Sequence, residues 1–132
     1  DAGSQMDHYY VTFKPENGAA LTPAVGLKKT KGEAKEFNAV NGTLAIWEPM
    51  EQKRGMQGVA VIVDPKNFIQ QAEDKQNNLL VVKTAPDNFI SYWAGFAWDK
   101  AGKITSQDAW RKYVADFAQG AQSPIEVSIS NK

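Results

Sequence analysis

The sequence predicts an all-β protein, an antiparallel β-sandwich with one C-terminal amphipathic helix. Three observations carry that expectation. Short runs rich in β-branched and aromatic residues recur along the chain, punctuated by turn residues. Two of the runs, Gly58–Val63 and Leu79–Val82, are continuously apolar, as strands covered on both faces are. A helical period occurs only near the C-terminal end, where Trp110, Tyr113, Val114, Phe117 and Ala121 recur at intervals of three and four.

The first strand contains Tyr9, Val11 and Phe13 alternating with Tyr10 and Thr12, which gives one apolar face and one mixed face. Pro15-Glu16-Asn17-Gly18 ends it, because Asn and Gly accept the positive φ of tight turns. Asn41-Gly42 predicts a hairpin joining Glu36–Val40 to Thr43–Trp47, and this accounts for the Asn41-Gly42-Thr43 sequon without glycosylation. Gly58–Val63 and Leu79–Val82 are the expected central strands. The polar stretch between them, Pro65–Asn78, is expected to form a solvated loop without regular structure.

The stretch SYWAGFAWDK, Ser91 to Lys100, divides by strand parity. Ile90, Tyr92, Ala94, Phe96 and Trp98 share one face, expected to be aromatic core against the helix or an opposing sheet. Phe89, Ser91, Trp93, Gly95 and Ala97 share the other. There the small neighbours Ser91 and Gly95 leave the Trp93 ring open to a flat ligand, unless Gly95 marks a bulge. The helix is predicted over Gln107–Gln119, with Thr105 or Ser106 as N-cap, Asp108 facing Lys112, and Gly120 as a left-handed C-cap. Beyond Pro124, the alternation of Ile125, Val127 and Ile129 with Glu126, Ser128 and Ser130 predicts a last half-buried strand.

Composition narrows the function classes. At 132 residues the chain holds one core, either as a single sandwich domain over 1–132 or as the C-terminal portion of a larger domain. Fifteen basic and fifteen acidic residues cancel, so no global field draws the chain to nucleic acid or an anionic membrane. The absence of Cys excludes disulfides, thiolate metal sites and cysteine nucleophiles. No apolar run is long enough to span a bilayer, and Asp1 opens the chain without the charged and apolar regions of a leader, so the start reads as processed or excised. No GxSxG elbow, P-loop or GxGxxG cradle is present, and no cofactor is expected. One His and no Cys argue against zinc, and Asp99–Asp108 lacks oxygen ligands at its third and fifth positions, so no metal is expected.

Four side chains remain as site candidates. His8 and Glu48 are candidate catalytic groups, His8 as a general acid or base and Glu48 as a carboxylic acid at a strand end, from which a side chain reaches a cleft. Trp47 and Trp93 are candidate sugar-stacking rings. Lys28, Lys29, Lys31 and Lys35 form a local basic run, readable either as a solvated, aggregation-resistant edge or as a contact for carboxylates of acidic sugars.

DAGSQ at Asp1–Gln5, AIWEPM at Ala45–Met50 and YWAGFAWDKAGKITSQDAWRKYVADFAQGAQSPIEVSI at Tyr92–Ile129 resemble the C-terminal part of domain-of-unknown-function family 4861. The resemblance implies a galactose-mutarotase-like antiparallel sandwich in a periplasmic or secreted bacterial protein. It also implies an association with the breakdown of uronate-containing polysaccharide. The expected partners are an oligosaccharide or polysaccharide and the earlier part of the same family domain, with no nucleic acid and no membrane span. Three classes compete: a fragment of a glycan-cleaving enzyme of hydrolase or lyase type, a noncatalytic carbohydrate-binding module, and a structural domain completing a larger assembly.

Overall fold

The computed structural model describes residues 3–85 and 87–129. Asp1, where the sequence marks a processed start, and Ser130, the last polar position of the expected final strand, lie outside them. Eight strands form two antiparallel sheets: β1 Met6–Thr12, β2 Ala24–Lys28, β3 Ala34–Asn38, β4 Thr43–Pro49, β5 Met56–Val63, β6 Phe68–Glu73, β7 Asn77–Val82 and β8 Phe89–Trp98. The larger sheet runs β1-β8-β5-β4-β3 and the smaller β2-β7-β6. The helix α1, Gln107–Gln122, packs on the outer face of the larger sheet, so the order of layers is helix, five strands, three strands.

The two apolar runs are central: β5 is the middle strand of five and β7 the middle strand of three. Alternation along β4 and β5 serves two cores. Ala45, Trp47, Ala60 and Ile62 face the helix and pack with Trp110, Val114 and Ala118. Leu44, Val61 and Val63 face the smaller sheet and pack with Val25, Leu80 and Val82. Fully burying each Leu, Ile or Val contributes about 1.5–3 kcal/mol. Gly58 lies under the helix because the Trp110 indole occupies the space of its missing side chain: a Cβ there would stand 2.5 Å from Trp110 Cδ2. The indole Nε1 donates to the Val59 carbonyl at 3.3 Å, satisfying the polar atom of a fully buried ring.

The β3–β4 hairpin forms at Asn41-Gly42, with Asn38 opposite Thr43 and Gly42 at φ 64°. Strand pairing ends at Asn38 because its Oδ1 accepts from the Val40 and Asn41 amides, giving the backbone a turn instead of a ladder. Ser106 caps α1 by accepting from the Ala109 amide at 3.2 Å.

Several expectations change. Pro65–Asn78 contains β6, an edge strand whose polar residues face solvent, so its sequence lacks a buried strand's apolar run. Pro124–Ile129 forms no strand: Ile125, Val127 and Ile129 alternate as expected but stand exposed without a partner strand among the described residues. Gly120 lies inside α1, which continues to Gln122, and Lys112 pairs with Asp116 at 2.6 Å rather than with Asp108. Tyr9 is not core, since β1 is an edge strand; Val11 and Phe13 of its face pack against the smaller-sheet core. Gly95 marks no bulge: the register of β8 is continuous, and a Cβ at Gly95 would overlap the Gln5 carbonyl of the incoming chain.

Phe96 and Trp98 are the largest departure. Parity places them with Ile90, Tyr92 and Ala94 as expected, yet they are 60% and 38% exposed. The smaller sheet covers Ile90, Tyr92 and Ala94 and ends short of the last two. Part of one sheet face is therefore open.

Candidate functional site

The open end of the larger sheet is built by register. Glu48 of β4 lies opposite Gln57 of β5, and Gln57 opposite Trp98 of β8. In the next row Ile46, Val59 and Phe96 are aligned in the same way. Directly paired residues share a face, so Glu48, Gln57, Phe96 and Trp98 form one contiguous surface. Two concavities of about 360 and 310 Å³ open on it, the first lined by Glu48, Gln57, Lys28 and Thr30, the second by Phe96, Trp98, Gln5 and Ala101. Met50 and Arg54 line both and stand between them.

Glu48 is 6% exposed. Its Oε1 accepts from Gln57 Nε2 at 2.7 Å, while its Oε2 is buried with no hydrogen-bond partner among the described residues. An unsatisfied buried carboxylate oxygen costs about 1–3 kcal/mol or more. Lys28 and Arg54 supply positive charge to the same concavity and Glu51 a second carboxylate; none of the four takes part in an ion pair among the described residues. The apolar concavity has a different character, with two exposed rings and little polar lining. The Trp98 indole N–H donates to the Arg54 carbonyl at 3.1 Å, which fixes the ring against the Met50–Gly55 loop.

That loop is held in an uncommon conformation. Gln52 and Lys53 both adopt left-handed backbone angles, φ 57° and 54°, and Gly55 has φ 112°. The two non-glycine residues cost about 1–2 kcal/mol each, and such conformations concentrate at functional sites. The Met50 amide closes the loop on the Gly55 carbonyl at 2.9 Å, and Gln52 Oε1 accepts from Arg54 Nη2 at 2.6 Å, so the guanidinium is steadied from its own loop.

The four candidates from sequence do not assemble. Glu48 sits at the open end. Trp47, its neighbour, points to the other face, where it is 7% exposed among Ala34, Ala60 and the helix; its ring is core and offers no stacking surface. His8, on the edge strand β1, stacks on Trp93 with ring centres 4.2 Å apart and planes 10° apart. Partial desolvation pushes the His8 pKa below its ordinary 6.5. Both belong to the helix face, the opposite face from Glu48, and His8 on β1 is three strand positions from β4, so no His–Glu acid–base pair forms. Trp47 and Trp93 share no groove: Trp93 opens into a separate cleft beside the C-terminal end of α1.

The Lys run divides between roles. Lys29 pairs with Glu73 at 2.6 Å and Lys35 donates to Asn78 Oδ1 at 2.8 Å, so both serve the fold, whereas Lys28 faces the Glu48 concavity. No group of three or more His, Asp or Glu among the described residues is arranged to hold a metal ion. No helix among them is long and apolar enough to cross a membrane. Phe96, Trp98, Gln57 and Arg54 are site residues that local pattern does not single out; cross-strand register from Glu48 gathers Gln57, Trp98 and, one row on, Phe96, while Arg54 is brought in by the loop between β4 and β5.

Comparison with known proteins points the same way as the sequence motifs. Residues 1–127 match the family described as Domain of unknown function (DUF4861). The chain is 30% identical over 115 residues to Uncharacterized protein P7 of Formosa agariphila, an alignment covering 83% of this chain and 28% of that protein. The chain thus spans less than a third of that relative's length. No solved structure matches it significantly.

Proposed function

The chain belongs to the DUF4861 family, and on that footing we propose that it recognises glycan, with the open end of its larger sheet as the binding surface. The observation that carries this reading is the row Glu48–Gln57–Trp98 beside exposed Phe96. It sets an aromatic platform next to a concavity at whose base the buried Glu48 carboxylate lies. Sugars present complements to this surface, an apolar C–H face for the exposed rings and hydroxyls for the polar side chains Gln57 and Thr30 of the adjoining concavity, beneath which Glu48 lies. Arg54 and Lys28, neither held in an ion pair among the described residues, balance Glu48 and Glu51 on this surface and offer cations that the carboxylates of a uronate-containing polysaccharide can pair with. Its setting is bacterial polysaccharide breakdown in the periplasm or outside the cell.

A shallow, open surface gives modest affinity. Dissociation constants nearer millimolar than nanomolar are expected, about 4–6 kcal/mol, and weaker as salt rises. Calorimetric titration with pectic and neutral oligosaccharides tests this directly. Uronate-containing ligands should bind better, and Phe96→Ala, Trp98→Ala and Arg54→Ala should each weaken them. Absence of heat with every glycan, or equal binding by all three variants, refutes the reading. Glycan cleavage that disappears in Glu48→Gln would establish an enzyme of hydrolase or lyase type at this surface.

A second reading, a structural domain that completes a larger assembly, draws on Pro124–Ile129. This segment has the alternation of a half-buried strand, with its apolar side chains 82–91% exposed. An earlier part of the same family domain would be its partner. A longer protein in which these amides gain protection from hydrogen exchange, with no glycan bound, would favour it.

A further inference from the structure

A cleft of about 380 Å³ opens on the opposite face of the larger sheet, between the end of β5 and the C-terminal turns of α1. Its base is apolar, from buried Ile62 and Ala118. Trp93 forms one wall. Its ring is clamped, with His8 stacked on one face at 4.2 Å and Phe117 approaching edge-on at 6.2 Å, so the wall is rigid before any ligand arrives. A preformed wall lowers the ordering cost of binding.

The rim is polar and electrically balanced. Asp64 and Lys66 follow β5, Ser91 comes from β8, and Gln122 and Ser123 close the helix side. Asp64 Oδ1 accepts from the Lys66 amide at 2.9 Å, which orients the carboxylate while leaving Oδ2 without a protein donor among the described residues. Gln122 Nε2 donates to the Asn41 carbonyl at 3.0 Å, holding that side chain across to the β3–β4 turn. Lys66 Nζ makes no ion pair among the described residues. The cleft therefore combines one fixed aromatic wall, a carboxylate acceptor, an ammonium donor and two hydroxyls.

From this we infer a second ligand site that takes a neutral polyhydroxylated ring, one or two sugar units long. The volume lies at the small-molecule end of binding clefts, which run from about 300 to 1,000 Å³. Neutrality follows from the rim, where Asp64 and Lys66 cancel. The two sites are independent, because Gln57 and Ile62 lie five residues apart along β5, about 17 Å, and the sheet separates them. One ring cannot touch both, and failure at either site leaves the other standing.

The test is nuclear magnetic resonance of the isotopically labelled chain titrated with cellobiose and lactose. Shifts should appear at the Trp93 indole N–H and at the Ser91, Lys66 and Ser123 amides, saturating with dissociation constants of about 1–10 mM. The Trp98 indole should stay in place. Ala121→Leu fills the cleft without removing any polar group and should weaken binding by about tenfold or more. Asp64→Asn, on the rim, should also weaken it with the fold unchanged by circular dichroism. No response at ~50 mM of either sugar, well above a millimolar constant, overturns the inference. So do shifts confined to Trp98 and Gln57, or undiminished binding by Ala121→Leu and Asp64→Asn.

Discussion

Replacing Gly58 with Ala tests the seating of the helix on the sheet. An ideal Cβ at Gly58 would lie 2.5, 2.6 and 2.7 Å from Cδ2, Cγ and Cδ1 of Trp110. Carbon atoms in contact prefer about 3.5–4.0 Å, so the indole must retreat by about 1 Å. It has little room to do so: Trp110 is fully buried, stacks on Tyr113 with ring centres 5.7 Å apart, and donates to the Val59 carbonyl. Overpacking of this kind costs about 1–3 kcal/mol and a weakened buried hydrogen bond about 1 kcal/mol. Reduced entropy of the unfolded chain returns about 0.4–1 kcal/mol. The net expectation is a loss of about 2 kcal/mol. The same change at Gly120, inside α1 with nothing within 4 Å of its missing Cβ, should instead stabilise by about 0.5–1 kcal/mol. Urea denaturation of both variants, followed by circular dichroism at unchanged m-value, measures the contrast. If Gly58→Ala equals or exceeds the wild type in stability, Trp110 does not rest on β5 and the helix docking described above is wrong.

Three further outcomes follow from the site and the charges. Phe96→Ala should change unfolding free energy by less than about 1 kcal/mol, since the ring is 60% exposed; a loss of 3 kcal/mol or more, the size of a core truncation, would return Phe96 to the core. Glu48→Gln should raise stability by about 1 kcal/mol while weakening glycan binding, because a neutral amide costs less to bury unpartnered than a carboxylate; thermal melts and calorimetry on one sample separate the two effects. Glu73 lies below its ordinary 4.5 through its hydrogen bond and charge contact with Lys29, then the charge of Lys35; Asp74 lies below 3.8 chiefly through the Gln76 amide. Both therefore stabilise the fold above the ordinary carboxylate range and lose that contribution as pH falls through their depressed values. His8, lowered below 6.5, acts in the same sense nearer neutrality, since protonation favours the unfolded chain. Melting temperature should fall stepwise on acidification, and Glu73→Gln should flatten the lower step.

The sequence made legible whatever depends on local pattern. Continuous apolar runs identified β5 and β7 as central, the period from Trp110 to Ala121 identified the helix, and Asn41-Gly42 identified the hairpin. Strand parity also grouped Phe96 and Trp98 correctly. What parity cannot carry is the extent of the opposing layer: whether a residue on the inward face is covered depends on where β2, β6 and β7 end. The same limit explains Trp47, whose aromatic ring beside a strand-end carboxylate read as a platform until the helix occupied that face. β6 escaped notice because an edge strand with solvated side chains has little apolar signal. Pro124–Ile129 shows the converse, a sound strand pattern without a neighbouring edge. Glu48 was visible by its position at a strand end, but its orphaned oxygen depends on a tertiary environment that no local pattern records.

Asn78, fully buried on β7, donates to Glu33 Oε1 at 2.9 Å and accepts from Lys35 Nζ at 2.8 Å. These bonds tie the smaller sheet to β3 and the turn before it. Apolar layers alone are tolerant of sliding, whereas a buried amide with two assigned partners has one acceptable position. A slip by one pleat repeat would displace the smaller sheet by about 7 Å, enough to cover Phe96 or to uncover Ala94. Asn78 thus acts as a shutter stop: a residue that never meets the ligand determines how wide the aperture over the larger sheet stands.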